Sequence, residues 1–307
     1  MSQRIALVGI GKIARDQHIP AIANDDVFEL AATASRNNGL DGIDRFSDLA
    51  SLLAARPDIP CISLCTPPQF RYEDARRALE AGRHVMLEKP PGATVSEVHD
   101  LKDLADARGL SLFATWHSRY AAGVAAARDW LVGKDIQTVD VIWKEDVRRW
   151  HPDQEWIWTA GGLGVFDPGI NGISVLTAIF PRALHLINAA LDFPSNRDTP
   201  IAAKLAFRDP GGARVNAVFD WRQEGPQSWD IRITTPDNEA LLSEGGAVFA
   251  VNGEVLTSGD NCEYSNLYAR FGDLLGASES DVDISPLCHT ADAFLIGQRT
   301  ETEAFSY

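Results

Sequence analysis

Near the start of the chain, Gly9-Ile10-Gly11-Lys12-Ile13-Ala14 fits G-x-G-x-x-G/A between an apolar run and a helical pattern. In that spacing the first glycine allows a tight turn and the second lets backbone approach a pyrophosphate. The third small residue lets helix and strand pack closely. The helix start adds free N–H groups and positive potential for an anion. The motif is short, but its strand–turn–helix setting makes Gly9, Gly11, Lys12 and Ile13 the expected contacts of a dinucleotide. Where an acidic residue would hold a ribose 2′-hydroxyl, the chain reads Thr33-Ala34-Ser35-Arg36-Asn37. A hydroxyl and a guanidinium suit a 2′-phosphate instead. Ser35 and Arg36 therefore predict NADP in preference to NAD, with NAD still usable. The plainer reading of Arg36 is an exposed arginine on a solvated loop.

Cys65-Thr66-Pro67 closes an apolar strand at the edge where open α/β sheets take their ligands, and prolines that merely stop the strand are the competing reading. Glu88-Lys89-Pro90-Pro91 stands at the same edge one strand later. Cys65, Thr66, Pro67, Glu88 and Lys89 are expected to line the cofactor. The Lys89 ammonium also suits a substrate hydroxyl, where it would stabilise negative charge developing on oxygen. A Lys-Pro bond at such a place can be cis.

In the second half, Val165-Phe166-Asp167-Pro168-Gly169-Ile170-Asn171 puts Asp167 at an N-cap position with Pro168 first in the helix. Asp167 and Asn171, four apart, share a helix face. Taken alone they read as a cap and a local backbone partner. The preceding Gly161-Gly162-Leu163-Gly164, which permits a ligand to come close, adds weight to a site. Residues 143–151 are dense in charge and aromatic rings, and Trp156 and Trp158 follow. Rings offer flat faces to sugar C–H patches while charged groups fix hydroxyls. Glu145, Trp150 and His151 are the expected ligands, with His117 a lesser candidate. Core tryptophans and structural histidines are the alternatives.

These residues need elements to hold them. Strands are expected over residues 5–10, Phe28–Ala34, 59–66, His84–Leu87 and 110–115, alternating with helices over 13–23, 72–81 and Val95–Arg108. That alternation predicts an α/β fold: a Rossmann doubly wound parallel sheet over residues 1–118. A helix over 121–132 then leads to strands over 138–143, 202–207, 214–221, 229–235 and 240–243. Turns such as Asp209-Pro210-Gly211-Gly212 and Asn252-Gly253 are hairpin signals. Residues 119–307 are therefore expected to form an α+β domain with a large, mostly antiparallel open-faced sheet, closed by a helix over 286–299.

The length of 307 residues favours two domains. Lys plus Arg is 28 against 43 for Asp plus Glu, a net charge of −15 at pH 7. That field repels phosphate backbones and anionic lipid, which argues against nucleic-acid and membrane-surface roles. No apolar run approaches the roughly 20 residues that span a bilayer. The first residues read as a strand rather than a signal peptide, so the expected compartment is the cytoplasm. Four cysteines and seven histidines lack metal-ligand spacing, and no metal is expected.

Taken in order along the whole chain, the glycine turn at residues 9–14, Thr66-Pro67, Glu88-Lys89-Pro90 and Asp167 resemble the glucose–fructose oxidoreductase and inositol dehydrogenase family. The strings KIARDQHIPAI, EKPPGAT, WHSRY, WKEDVRRWHP and GLGVFDPGIN are similar to its branch of bacterial sugar 1-dehydrogenases acting on L-arabinose or D-galactose. The resemblance implies NAD(P)-dependent oxidation at the anomeric carbon of an aldopyranose (L-arabinose, D-galactose or D-fucose) to its lactone. It also implies a homodimer through the second domain's sheet. Lys89, Asp167 and Asn171 carry over as catalytic or substrate-fixing positions. Many relatives use a histidine four residues after the aspartate as base, where this chain has Asn171. Many also have a histidine past the Thr-Pro turn, where it has Arg71. Proton removal thus falls to Asp167. Two alternatives stand beside this reading: an inositol, polyol or dihydrodiol dehydrogenase on the same scaffold, and a non-catalytic sensor that binds NADP and sugar.

Overall fold

The computed structural model describes residues 2–36 and 39–307, and the chain forms two compact units. Asn37 lies outside the described residues. The first unit comprises Met1–His117 and Tyr264–Ile284. Its six parallel strands are β1 (Gln3–Val8), β2 (Phe28–Ala34), β3 (Asp44–Phe46), β4 (Cys61–Leu64), β5 (His84–Leu87) and β6 (Leu112–Ala114). They lie in the order β3-β2-β1-β4-β5-β6. The order reverses between β1 and β4, which makes their ends the switch point where such sheets bind ligands. All four residues of β4 are buried, as are Ile5 to Val8 of β1, so these strands read as unbroken apolar runs. Helix Val95–Arg108 starts on a capping box between Thr94 and Glu97 and stops at Gly109, whose φ is +62°.

Two parts of this unit lie outside the expected elements. Strand β3 has three residues, mostly exposed, and the helix Leu49–Ala55 behind it is short. The other part comes from far along the chain. Residues 264–284, placed by the sequence reading in the second domain, pack in the first unit. Helix Glu263–Ala277 buries Tyr264, Leu267, Tyr268, Phe271 and Leu274 along one face. Phe271 stacks on Phe28 with ring centroids 5.5 Å apart.

The second unit comprises Ser118–Glu263 and Ser285–Tyr307. It contains β7 (Thr138–Lys144), β8 (His185–Pro194), β9 (Ala202–Arg208), β10 (Arg214–Asp220), β11 (Ser228–Thr234), β12 (Glu239–Ser243), β13 (Val248–Val251), β14 (Glu254–Ser258) and β15 (Gln298–Thr302). Their order is β14-β13-β12-β11-β7-β10-β9-β8-β15, with β7–β10 and β8–β15 parallel and the other pairs antiparallel. The closing helix ends at Ile296, and the residues expected to finish it form β15.

Strands β7 and β10 alternate buried and half-buried residues, turning Val139, Val141, Trp143, Val215, Ala217 and Phe219 to one face. Helix Phe166–Ile179 packs against these side chains. A Cβ at Gly169 would lie 2.7 Å from the Phe219 ring, and one at Gly172 would lie 2.9 Å from Trp143 and Val141. The two glycines therefore set how closely this helix, and Asp167 upon it, approaches the sheet. Gly169→Ala tests that constraint. Alanine brings about 1 kcal/mol of helix propensity, but overpacking against a buried ring costs about 1–3 kcal/mol. A lowered urea midpoint is expected, and a midpoint at or above wild type would contradict the close approach.

Candidate active site

The turns that follow β1 and β4 meet. Gly9 has φ +87°, and a Cβ there would sit 2.9 Å from both Cγ2 and N of Thr66. Any other residue would push the turns apart. The Gly9 N–H donates to Ala34 O at 2.9 Å, and the Cys65 N–H to Val8 O at 2.8 Å. Gly11 is exposed and would meet nothing within 4 Å, whereas Ala14 is buried against the unit's interior. Residues 12–23 are helical, with a π turn at Ala14–His18. Thr66 Oγ1 is buried and has no hydrogen-bond partner among the described residues. A glycine cradle, an open turn at a helix start and an orphaned hydroxyl at the switch point fit a bound dinucleotide.

The other cofactor candidates differ in what they face. Lys12 pairs with Asp16 one turn along, and both side chains are about half exposed. Ile13 and Pro67 are half-buried. The Ser35 hydroxyl accepts the Ile10 N–H at 3.4 Å, which ties the end of β2 to the glycine turn, and Arg36 is exposed beside it. Cys65 Sγ lies 3.9 Å from Ser63 Oγ.

Glu88 departs from expectation. Read in the sequence as a cofactor contact, it is 3% exposed and its carboxylate is engaged inside the unit. Oε1 accepts the Tyr264 hydroxyl at 2.6 Å and pairs with His18 Nε2 at 3.1 Å, while Oε2 accepts the Lys89 N–H at 2.7 Å. A buried carboxylate needs such partners to stay charged. His18 is fully buried, with Nδ1 2.7 Å from the Tyr268 hydroxyl. Burial pushes the His18 pKa down, but Cys65, Tyr268 and Glu88 outweigh it and hold the imidazole well above 6.5. Burial likewise pushes Glu88 up. The hydrogen bond and charge of His18, the charge of His117 and the Tyr264 hydroxyl reverse this, leaving it far below 4.5.

His117, the lesser substrate candidate, belongs to the first unit and stacks on Tyr264 at 5.5 Å. Arg71, 2% exposed, donates to the carbonyls of Thr66, Glu88 and Pro90 and so braces the turns around Lys89. Lys89 is half-buried, and the Lys89-Pro90 bond is cis.

In the second unit, Asp167 is the second residue of its helix rather than its cap. Val165 holds the cap position, and the Asp167 N–H donates to Gly164 O at 2.8 Å. Within the glycine run, Gly162 and Gly164 stand where backbone packs closely. A Cβ at Gly162 would strike the carbonyls of Trp156 and Ile157, and one at Gly164 would strike that of Pro200. Asp167 itself is 4% exposed, and its Oδ2 lies 3.4 Å from His151 Nε2. That nitrogen is 3.9 Å from Glu145 Oε1, and His151 Nδ1 is 3.3 Å from Gln154 Oε1. Glu145 accepts one indole N–H on each oxygen, from Trp221 and Trp229, both at 3.1 Å. Trp150 meets Trp229 edge-on at 5.6 Å and donates to Gln227 at 3.3 Å. Asn171 is half-buried one turn beyond Asp167, and its side chain makes no hydrogen bond among the described residues.

The fold thus gathers Glu145, Trp150, His151 and Asp167, and adds Trp221 and Trp229. These two stand 76 and 84 residues from Glu145, and no local pattern marks them. Among the described residues there is no cluster of three or more His, Cys, Asp or Glu placed to hold a metal. Nor is any described helix long and apolar enough to cross a membrane.

A model described as an oxidoreductase family with an NAD-binding Rossmann fold matches residues 3–115. A galactose 1-dehydrogenase of Pseudomonas fluorescens is 42% identical over 304 residues, 98% of each chain. The chain belongs to this oxidoreductase family. Its first unit is an NAD(P)-binding Rossmann domain. The crystal structure of a D-galactose-1-dehydrogenase from Rhizobium etli is 54% identical, with a TM-score of 0.95 over 100% of this chain and 99% of that one. A 3-ketoreductase of Actinomadura kijaniata, solved with NADP and TDP-benzene, shares the fold at 18% identity, with a TM-score of 0.84 over 98% of this chain and 100% of that one. The expected architecture, a parallel Rossmann sheet followed by a larger mostly antiparallel one, is borne out.

The buried pair of this family member has a pH signature. Protonated His18 contributes fully below 6.5, and its share is lost as pH rises through the raised folded value. Glu88 contributes fully above 4.5, and its share is lost as pH falls towards the depressed folded value. The pair's stabilisation is therefore complete between pH 4.5 and 6.5 and declines on both sides. The melting-temperature gap between wild type and Glu88→Gln is expected to peak in that interval. A gap independent of pH would contradict a charged pair.

Proposed function

We propose that this oxidoreductase oxidises C1 of an aldopyranose, D-galactose or L-arabinose, to the lactone, using NADP in preference to NAD. The observation that carries this reading is the row Asp167–His151–Glu145, linked at 3.4 and 3.9 Å and walled by tryptophans. It offers carboxylates to sugar hydroxyls and aromatic faces to C–H patches. The names of the P. fluorescens and R. etli relatives support the substrate class.

A hemiacetal hydroxyl must lose its proton as hydride leaves C1. Bound nicotinamide dinucleotide supplies the hydride acceptor. Asp167 takes the proton from the C1 hydroxyl, with His151 Nε2 3.4 Å from its Oδ2 holding the carboxylate in place. Lys89 electrostatically supports the developing alkoxide. Asn171 fixes a neighbouring hydroxyl. Glu145, tethered on both oxygens, and Trp150 orient the ring. Gly9, Gly11, Ile13, Cys65, Thr66 and Pro67 would hold the dinucleotide, with Ser35 and Arg36 towards a 2′-phosphate and no acidic residue over 33–36 to oppose it. L-Arabinose, D-galactose and D-fucose differ only in the group on C5, which a pocket discriminates by about 1–3 kcal/mol. We also propose a homodimer through the nine-stranded sheet, where Ile187 of β8 and Val255 and Leu256 of β14 are exposed.

The test is the near-ultraviolet absorbance of reduced nicotinamide with a panel of aldoses and inositols. Reduction with D-galactose or L-arabinose is expected, and Asp167→Asn should lower kcat by about 10²–10⁴-fold. Dinucleotide binding without reduction by any aldose would favour a sensor, and turnover of inositols alone a polyol dehydrogenase. Arg36→Ala should cut the NADP-over-NAD preference by about 10- to 100-fold, the worth of one hydrogen bond to a charged group. An unchanged preference removes Arg36 from the cofactor site.

A further inference from the structure

The peptide joining Glu88 to Lys89 is held at both of its polar atoms. Its carbonyl oxygen accepts from the buried Arg71 guanidinium, and its N–H donates to the Glu88 carboxylate at 2.7 Å. A peptide unit is planar and rigid, so two such bonds set its orientation. The carbonyl of Pro90, two residues on, is also taken by Arg71. Lys89 thus leaves a backbone pinned on either side.

The Glu88 carboxylate is itself aimed from elsewhere. His18 Nε2 and the Tyr264 hydroxyl both hold Oε1, and the Tyr268 hydroxyl fixes the far nitrogen of the His18 ring. His18 lies at the end of the π turn that follows the glycine motif, while both tyrosines come from helix Glu263–Ala277. Neither Glu88 nor His18 reaches solvent appreciably. A buried polar network whose members find their partners is held rigidly. We propose that Glu88, His18 and Tyr264 are positioning residues that aim Lys89 by locking the peptide before it. The inference rests on the reading of Lys89 as a catalytic group.

The experiment measures Glu88→Gln and Tyr264→Phe in the full chain, each alone and in a Lys89→Ala background, with D-galactose and NADP. A small displacement of a catalytic group costs up to about 100-fold in rate. Glu88→Gln is expected to lower kcat by about 10- to 100-fold, and Tyr264→Phe less. KM for the sugar and Kd for NADP should stay within about twofold, because the contacts made in the bound state remain. In the Lys89→Ala background neither substitution should lower kcat further. Hydrogen exchange at the Lys89 amide should accelerate in Glu88→Gln, a readout independent of turnover. An undiminished kcat, an equal further loss without Lys89, or unchanged exchange would each overturn the proposal. Wild-type kcat in Lys89→Ala would instead overturn the reading beneath it. Should Glu88→Gln fail to fold, Tyr264→Phe removes one hydrogen bond without stranding a charge and answers the same question.

Discussion

A carboxylate withdrawn from water must be matched by donors or give up its charge, and Glu88 is matched on every side. Its partners come from three separated stretches: His18 after the glycine turn, the Lys89 amide next to it, and Tyr264 near the end of the chain. Meeting that electrostatic demand brings together the helix after the glycine turn, the strand-end lysine and a helix arriving from residues 263–277. Arg71 meets the complementary problem, a buried guanidinium whose two terminal nitrogens donate to three carbonyls of the turns around Lys89. The first unit is therefore organised around paired buried charges as much as around its apolar sheet.

The second unit applies the same rule with different partners. Glu145 is 6% exposed and draws its hydrogen bonds from indole N–H groups, leaving His151 between it and Asp167. Tryptophan brings both an apolar wall and a donor, which suits a carboxylate kept from water yet hydrogen-bonded. The helix bearing Asp167 is seated by glycine against the rings of Phe219 and Trp143. Packing density, rather than a capping bond, places that aspartate.

Legibility followed locality. Strands Phe28–Ala34 and His84–Leu87 and helix Val95–Arg108 match the expected bounds, because their apolar pattern and stop signals lie within them. Strand β8 mixes exposed and buried residues without alternation, and β15 is almost wholly exposed, so neither announces itself. Glu88 shows the same limit at the level of a side chain. Its place beside Lys89 suggested the cofactor, yet the residues that claim it lie 70 and 176 positions away.

What this sequence determined by itself was the order of elements, the glycine turn, the lysine at a strand end and the aspartate on a helix, since each depends on residues within one or two turns of chain. Tertiary structure alone decided that Glu88 belongs to His18 and the tyrosines, that Arg71 braces a lysine, and that Trp221 and Trp229 complete Glu145. Such partnerships arise because burial obliges polar groups to find whatever donor the fold delivers, and which donor arrives is a property of the packed chain.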